Sequence, residues 1–381
     1  MNPVVIIGTG LAGYNLAREF RKLDKATPLH MITADDGQFY SKPMLSNALK
    51  NGKTPETLII SHATEMSEQL SAVVRTNTMV TAIDTKSRQI MLDEEILSYD
   101  KLVLALGAEP VHPSLQGDAT SEVLSINNLD DYARFRRAVS GSKRVVILGP
   151  GLIGCEFAND LANTGKHVTV IGPDPAPLGR LLPPEAGSVV QEALARIGIA
   201  WRLGIVADEV ISNGNANRIR LSDGTHIDAE TILSAVGLRP NIQLARRAGL
   251  TTNRGIVVDR ILETGAKGVY ALGDCMEVEG LVLPFVMPIM HCARALAKTL
   301  AGQPTTLSYP AMPVVVKTPA HPVVVSPPPP SGHGHWQITK ISGGMRAEFR
   351  DDDNHLLGFA LTGAAIADKR VLTRELPPLM H

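Results

Sequence analysis

The sequence has few cysteines, no long hydrophobic run and no excess of charge of either sign. Three cysteines in 381 residues, at Cys155, Cys275 and Cys292, are too few and too scattered for a disulfide framework or a zinc site. No segment approaches about 18 uninterrupted apolar residues, so no membrane-spanning helix is predicted. With 37 basic and 38 acidic residues, the charge balance does not favour nucleic acid or an anionic membrane as a partner. The chain enters an apolar strand without a charged leader, which predicts a cytoplasmic protein.

The chain does contain a glycine-rich turn that follows an apolar strand and opens a helical pattern. In such a unit the first glycine permits a tight turn, the second lets the backbone approach a pyrophosphate, and the third lets helix and strand pack closely. The phosphates bind free amide groups at the positive end of the helix. A lone match also occurs at glycine-rich junctions that bind nothing. The turn consists of Gly8, Thr9, Gly10, Leu11, Ala12 and Gly13.

The same unit recurs in the middle of the chain. Gly149, Gly151 and Gly154 repeat the spacing of the first three glycines. Both copies follow consecutive apolar residues, as a strand buried on both faces requires, and both precede apolar residues at helical spacing. Two copies in this context predict two dinucleotide-binding units.

The ribose contact of the first unit is less clearly marked than its phosphate contact. Residues 28–33 are predicted as the second parallel strand, and an acidic residue near the end of this strand usually bonds the ribose hydroxyls. Thr33 stands at that place. Asp35 and Asp36 follow two and three residues later, so the carboxylate is offset from the expected position.

The second unit leaves the choice of nicotinamide cofactor open. Its next strand, residues 167–171, ends at Gly172, where an acidic residue usually selects NAD. The nearest arginine that could hold a 2′-phosphate is Arg180. We favour NADH, with NADPH as the alternative.

The rest of the chain is predicted to alternate strands and helices. A helix is expected around residues 130–137. Beyond Pro304 the pattern changes to valine-rich strands and a final helix around residues 364–375, which predicts a separate α+β domain. The remaining predicted strands cover residues 73–84, 88–92, 102–106, 219–221, 231–236, 314–316 and 323–325. Residues 268–277 are predicted as a further strand that ends in a turn with a carboxylate.

Taken together, these motifs resemble those of the flavoprotein oxidoreductases that have two dinucleotide-binding domains. Glu156 stands two residues past Gly154, as in the family's GxGxxGxE variant, and residues 270–274 (YALGD) match its second FAD signature. Residues 107–110 and 237–241 match the crossovers between the two domains. In this family FAD occupies the first domain and NAD(P)H the second.

The resemblance implies an α/β fold with two Rossmann-like dinucleotide-binding domains and a small C-terminal α+β domain. The FAD-binding domain is expected to be discontinuous, with residues 1–108 and 240–305. The NAD(P)H-binding domain is expected at residues 109–239 and the C-terminal α+β domain at residues 306–381.

The resemblance also implies which residues contact each cofactor. Gly149, Gly151 and Gly154 are expected to contact NAD(P)H. Lys42 and Lys317 are expected near the isoalloxazine ring, and Glu156 where nicotinamide and flavin meet. The structural alternatives are solvated surface charge for the lysines and a residue merely favoured by the helix dipole for Glu156. The further expected FAD contacts are the turn Gly8, Thr9, Gly10, Leu11, Ala12 and Gly13, then Thr33 and Ala34 at the adenosine ribose, Val80 at the adenine, Asp274 at the ribitol hydroxyls and the amide of Val286 at the pyrimidine edge.

Within the family, three segments are most similar to members that reduce rubredoxin: residues 39–46, 286–288 and 316–319. Related ferredoxin reductases read closer to RPPLSK in the first segment, so Lys42 stands at the arginine position and Asn47 at the lysine position. The usual lysine–glutamate pair beside the flavin is therefore not assumed for this chain.

The segment 39–47 also lacks cysteine. Disulfide reductases of this fold carry a C-x4-C pair there, and peroxidases or NADH oxidases carry one cysteine. Electrons thus have no dithiol or sulfenic acid to pass through. The resemblance implies hydride transfer from NAD(P)H to FAD, then single electrons to rubredoxin, which would supply an oxygenase such as an alkane hydroxylase. The alternatives are a ferredoxin reductase of an oxygenase system and a flavin-binding protein whose association with partners is controlled by nucleotide.

Overall fold

Residues 2–93, 95–329 and 332–381 are described by a computed structural model of the chain. In the first part of the chain, short apolar stretches form strands buried on both faces, and the helix after the first glycine turn buries Tyr14, Leu16 and Phe20. The elements are β1 (Val4–Ile7), α1 (Leu11–Leu23), β2 (Leu29–Ile32), β3 (Phe39–Tyr40), a 3₁₀ turn (Lys42–Asn47), α2 (Pro55–Leu58), β4 (Ile59–Ser61), α3 (Ala63–Leu70), β5 (Val73–Arg75), β6 (Val80–Asp84), β7 (Gln89–Leu92), β8 (Glu95–Ser98), β9 (Lys101–Leu104) and β10 (Ala108–Pro110).

The middle of the chain repeats this construction around the second glycine turn. Asn128 caps its first long helix by accepting the amide of Asp131. The elements are a 3₁₀ turn (Thr120–Glu122), β11 (Val123–Leu124), α4 (Leu129–Ser140), β12 (Arg144–Leu148), α5 (Leu152–Ala162), β13 (His167–Gly172), α6 (Pro184–Ala195), β14 (Ile199–Leu203), β15 (Ala207–Asn213), β16 (Ala216–Leu221), β17 (His226–Ala229), β18 (Thr231–Ser234) and β19 (Leu238–Pro240).

The last part of the chain first returns to the first sheet and then forms a sheet of its own. The returning elements are α7 (Gln243–Arg247), β20 (Ile256–Val258), β21 (Val269–Ala271), a 3₁₀ turn (Gly273–Cys275), β22 (Met276–Val278) and α8 (Val286–Leu300). The C-terminal elements are β23 (Val314–Val316), β24 (Val323–Ser326), β25 (His335–Ile341), β26 (Gly344–Arg350), β27 (Leu356–Gly363), a 3₁₀ turn (Ala364–Asp368) and α9 (Lys369–Glu375).

Two five-stranded parallel sheets carry the two glycine turns. The first has the order β21-β9-β1-β2-β5 and the second the order β11-β18-β12-β13-β14. The crossover strands β10 and β19 pair with each other in antiparallel fashion between them. The third five-stranded sheet, β23-β24-β27-β26-β25, is antiparallel. This is the predicted α/β architecture with a C-terminal α+β part. None of the helices in the described ranges is long and apolar enough to span a bilayer.

The prediction of one strand over residues 73–84 is wrong. The structure breaks it into β5 and β6, because Asn77 has a φ of +50° between them. The loop is fastened instead to the end of β2, where the amide of Asn77 donates to the carbonyl of Asp35 and that of Thr78 to the carbonyl of Thr33. The strand predicted to end in a turn with a carboxylate within residues 268–277 is confirmed, because β21 is followed by the turn Gly273–Cys275, which carries Asp274.

One hydrophobic cluster joins all three parts of the chain. Leu45 comes from the 3₁₀ turn after β3, Phe157 from α5, and Val316, Val325 and Met345 from the C-terminal sheet. Helix α6 also packs against β26 and β27. The C-terminal sheet is therefore seated on the second sheet's helices by apolar contact, which fixes the relative position of the elements described below.

This shared core makes a stability prediction with a matched control on the neighbouring strand. Val325→Ala removes two carbons from a side chain that is 0% exposed, so we expect a loss of roughly 2 kcal/mol in the free energy of unfolding. Val315→Ala makes the same change at a side chain that is 46% exposed, and its expected cost is below about 0.5 kcal/mol. Urea unfolding of both variants measures the difference. Equal costs would contradict the placement of Val325 in the core.

Candidate functional site

The first glycine turn is shaped by contacts that leave no room for side chains at two of its glycines. Gly8 has a φ of +109°, and a Cβ on it would lie 2.2 Å from the carbonyl oxygen of Ala105. A Cβ on Gly13 would lie 2.0 Å from the carbonyl oxygen of Gly8. A Cβ on Gly10, by contrast, meets no atom of the described chain within 4 Å beyond its neighbours. The amides at the start of α1 are thus open to an approaching phosphate.

The second glycine turn is built in the same way. Gly149 has a φ of +111°, and its Cβ would lie 2.5 Å from the carbonyl oxygen of Ala235. A Cβ on Gly154 would lie 1.9 Å from the carbonyl oxygen of Gly149. Gly151, directly before α5, again has open space where its side chain would be, as far as the chain is described. Both turns therefore offer the same open start of a helix.

A steric contact explains why the strand beside the second turn ends in glycine. A Cβ on Gly172 would lie 2.1 Å from Cδ of Pro150, inside the turn. The proline ring thus occupies the space of a side chain at the place where an acidic residue usually selects NAD. Arg180 is exposed. An acidic side chain at position 172 would therefore collide with the proline in this chain's turn.

The end of β2 places a carboxylate beside the first glycine turn. The hydroxyl of Thr33 donates to Asp35 Oδ1 over 2.6 Å, and the amide of Gly37 donates to the same oxygen over 2.9 Å. The hydroxyl of Thr9 lies 3.5 Å from it, and Ala34 is exposed at the rim. Asp35, two residues past the expected position, therefore supplies the charge where the sequence expects the adenosine ribose.

Asp274 presents a buried carboxylate oxygen that needs a donor. Its turn follows β21, and Gly273 has a φ of +80°, with Ala12 Cβ only 2.8 Å from a Cβ built there. Oδ1 of Asp274 is buried and finds no hydrogen-bond partner among the described residues. Burial raises the pKa of Asp274, and the positive charge of Lys42 partly opposes that effect. Because an unpartnered buried acceptor is costly, sugar hydroxyls such as those of ribitol fit this position.

Lys42 opens the 3₁₀ turn after β3 and is linked through Asn127 to the first crossover, residues 107–110. Its Nζ donates to Asn127 Oδ1 over 3.1 Å, and Asn127 Nδ2 donates to the carbonyl of Ala108 at the start of β10. Burial lowers the pKa of Lys42, while nearby carboxylates, Asp274 foremost, act in the opposite direction. The sequence analysis missed Asn127, whose only signal is an asparagine pair before α4.

Two valines expected to contact FAD lie at the ends of elements. Val80 opens β6 and is buried, while Val286 opens α8 and is exposed. Ile289, in the first turn of α8, lies 4.0 Å from a Cβ built on Gly273. The start of α8 is therefore close to the turn that carries Asp274.

Glu156 is the point at which three parts of the chain meet. Its side chain is 2% exposed. Nζ of Lys317 lies 2.8 Å from Oε2, the backbone amide of Lys317 donates to Oε1 over 2.8 Å, and the hydroxyl of Ser46 donates to Oε2. The ammonium also donates to Ser46 Oγ over 2.9 Å and to the carbonyl of Pro43. A carboxylate this deeply buried is tolerable because it is paired and hydrogen-bonded.

The cation beside Glu156 thus comes from the C-terminal sheet and not from position 47. Sequence analysis placed Glu156 and Lys317 near the flavin, but it did not predict that they contact each other. They are 161 residues apart, and no local pattern signals such a contact. It also missed Ser46, which belongs to the segment that marks the rubredoxin-reducing members.

The cysteines take no part in this site. All three are free and buried, and burial raises the pKa of Cys275 to about 12 and that of Cys292 to about 11. Such thiols are poor nucleophiles. Within the described ranges, no group of three or more His, Cys, Asp or Glu residues is placed to hold a metal ion.

Two family profiles together match nearly the whole chain. The profile described as pyridine nucleotide-disulphide oxidoreductase matches residues 2–298. A second profile, described as rubredoxin binding C-terminal domain, matches residues 306–376. The second match covers the antiparallel sheet that supplies Lys317.

Two similar proteins match this chain over nearly the full length of both sequences. A rubredoxin-NAD(+) reductase of Alcanivorax borkumensis is 51% identical over 100% of both chains. Another of the same name, from Acinetobacter baylyi, is 47% identical over 100% of this chain and 99% of its own. Among solved structures, a ferredoxin reductase from Rhodopseudomonas palustris is 25% identical, with a TM-score of 0.89 over 99% of this chain and 96% of its own.

The open space at Gly10 leads to a prediction that separates folding from cofactor binding. Gly10→Ala adds a methyl group that meets no atom of the described chain, so the FAD-free protein should keep its melting temperature. The same methyl group stands where a pyrophosphate must approach the helix, so we expect FAD affinity to fall at least tenfold, which is about 1.4 kcal/mol. Gly141→Ala, at another glycine without neighbours, should change neither. Retention of FAD by the Gly10 variant would contradict this assignment.

The unpartnered oxygen of Asp274 predicts that its replacement stabilises the FAD-free protein. Asp274→Asn removes a buried charge, so we expect unfolding to cost roughly 1–2 kcal/mol more at pH 7 in urea. The wild-type carboxylate is ionised only above its raised pKa, so this difference should shrink as the pH falls through that pKa. FAD affinity should fall, because the amide is a weaker acceptor for ribitol hydroxyls.

Asp352→Asn is the matched control, since it makes the same change at an exposed position in the turn between β26 and β27. It should change neither stability nor FAD affinity measurably. If Asp274→Asn destabilises the FAD-free protein at pH 7, the carboxylate has a structural donor and is not reserved for a ligand.

Proposed function

We propose an electron-transfer function from a premise that the comparisons establish: the chain belongs to the pyridine nucleotide-disulphide oxidoreductase family. The protein is an FAD-dependent oxidoreductase that takes electrons from NADH and delivers them to rubredoxin. The observation that carries this proposal is the combination of two open glycine turns with a C-terminal sheet that matches the rubredoxin binding profile.

The first glycine turn and the wall around it would hold FAD. Gly8 to Gly13 would receive the pyrophosphate, Thr33, Ala34 and Val80 the adenosine, and Asp274 and Val286 the ribitol and the pyrimidine edge. The unpartnered oxygen of Asp274 and the open start of α1 support this assignment. When bound, FAD supplies hydride acceptance and one-electron release, which no side chain of this site can provide.

The charged residues of the site form two groups, each with one lysine and one carboxylate. Lys42 and Lys317 would place two ammonium groups beside the isoalloxazine, where positive charge would favour the reduced cofactor. Glu156 balances Lys317, and Asp274 faces Lys42. The three buried cysteines would not carry electrons between the cofactors and the carrier.

The second glycine turn would receive the nicotinamide nucleotide at Gly149, Gly151 and Gly154. We propose NADH as the donor, supported by the names of the two curated relatives. The lack of an acid at Gly172 follows from its contact with Pro150 and so does not argue for NADPH. NADPH remains the alternative donor.

The carrier is the finer part of the proposal. NADH delivers two electrons as a hydride and a rubredoxin iron accepts one, so one NADH should reduce two rubredoxins and release one proton. The likeness of fold to a ferredoxin reductase keeps a ferredoxin as the second candidate carrier. Supply of an oxygenase such as an alkane hydroxylase is proposed from the sequence resemblance alone.

We also propose the domain division expected from the sequence: residues 1–108 and 240–305 for FAD, 109–239 for NAD(P)H and 306–381 for the carrier-binding part. The two parallel sheets and the antiparallel sheet support it. A cytoplasmic location is proposed as well. Its support is that the three cysteines are free, as in a reducing compartment.

Anaerobic mixing of the FAD-loaded protein with NADH and a tenfold excess of oxidised rubredoxin tests the function. We expect two rubredoxins to be reduced per NADH, and a [2Fe–2S] ferredoxin to be reduced more slowly in a parallel mixture. Protein freed of FAD is the control and should transfer nothing. If NADH bleaches the flavin while rubredoxin stays oxidised, the proposed carrier is wrong. A long-lived NADH complex without flavin reduction would instead favour the nucleotide-controlled binding protein.

A further inference from the structure

Asn47 contacts the C-terminal part of the chain at Lys317, whose ammonium pairs with Glu156. It ends the 3₁₀ turn after β3, and its Nδ2 donates to the backbone carbonyl of Lys317 over 3.0 Å. The backbone amide of the same lysine donates to Glu156 Oε1. Both polar backbone groups of Lys317 are therefore held by side chains from the other two parts of the chain.

The next turn of α5 forms a second hydrogen bond with the segment that contains Lys317. Oδ1 of Asn159 accepts the amide of Ala320 over 3.2 Å. Glu156 and Asn159 lie on successive turns of this helix, so residues 317–320 run along its surface. The side chains of Asn47, Asn159 and Lys317 line one groove of about 210 Å³. The position of the lysine thus depends on how the C-terminal sheet is seated in this groove.

The backbone anchors matter because a lysine side chain is flexible. Ordering it costs rotamer entropy, so its ammonium stays beside Glu156 only if the backbone is held in place. Within the described part of the chain, Lys317 is the cation that forms a salt bridge with this buried carboxylate. If it moves away, the carboxylate is left uncompensated.

We propose that Asn47 is a positioning residue that holds Lys317 of the carrier-binding sheet against Glu156. The position of this sheet would then determine whether the ammonium of Lys317 lies at the flavin site. The proposal rests on the proposed function only in its use of bound FAD as a reporter of charge. Asn47 itself touches no reacting group in this scheme.

The test compares Asn47→Leu with Asn51→Leu and Lys317→Met in the FAD-loaded protein. Asn51 lines the same groove and is exposed, but its side chain donates to the carbonyl of Asn47 and not to residues 317–320. Two quantities are measured without rubredoxin: hydrogen exchange at the amides of Lys317 and Ala320, and the flavin midpoint potential against a reference dye.

We expect Asn47→Leu to accelerate exchange at both amides at least tenfold and to lower the midpoint potential. Lys317→Met should lower the potential further, by about 30 mV for a tenfold change in the two-electron equilibrium, because it removes the positive charge outright. Asn51→Leu should leave both quantities at wild-type values. A structural weakening alone would not move the potential in the direction of the lost cation.

Wild-type exchange and potential in Asn47→Leu would overturn the proposal, and so would equal effects of the two asparagine variants. An unchanged potential in Lys317→Met would show that this cation does not act on the flavin. These results do not depend on rubredoxin turnover, so they are distinct from a failure of the proposed electron transfer. Because Asn47→Leu keeps Lys317 in the chain, the proposal is testable even if Lys317→Met does not fold.

Discussion

The structure depends on one buried carboxylate that needs partners from two other parts of the chain. Glu156 is 2% exposed in α5, and it is compensated by the ammonium and the amide of Lys317 and by the hydroxyl of Ser46. Removing one partner from a buried ion pair leaves an uncompensated charge, which costs far more than an exposed pair is worth. This requirement fixes the C-terminal sheet on the second sheet's helices, and the apolar cluster around Leu45 and Val316 fills the space beside it.

The two glycine turns impose a second constraint of a different kind. At Gly8, Gly13, Gly149 and Gly154 a side chain would collide with backbone oxygens, whereas Gly10 and Gly151 are open. The closed positions serve the packing of helix on strand, and the open positions serve a phosphate. The same distinction between packing and binding explains Gly172, which is glycine because Pro150 lies against it. An apparent signal about cofactor choice is therefore a packing effect.

Sequence patterns predicted much of the fold and the parts of the site that follow from local spacing. The repeated glycine turns, the strands beside them and the turn with Asp274 could be located because each depends on residues close together in the chain. The strand predicted across Asn77 failed because loop contacts with Asp35 and Thr33 override strand propensity there. The contacts of Lys317 with Glu156 and of Lys42 with Asn127 join distant segments, so no spacing rule could reveal them.

The central claim is that Glu156 and Lys317 act as one coupled pair across the domains. A double-mutant cycle on urea unfolding, with Glu156→Gln, Lys317→Met and the combined variant, measures that coupling directly. We predict an interaction free energy of roughly 1–3 kcal/mol, with the combined variant more stable than the sum of the single effects implies. Single effects that add to within about 0.5 kcal/mol would contradict the claim.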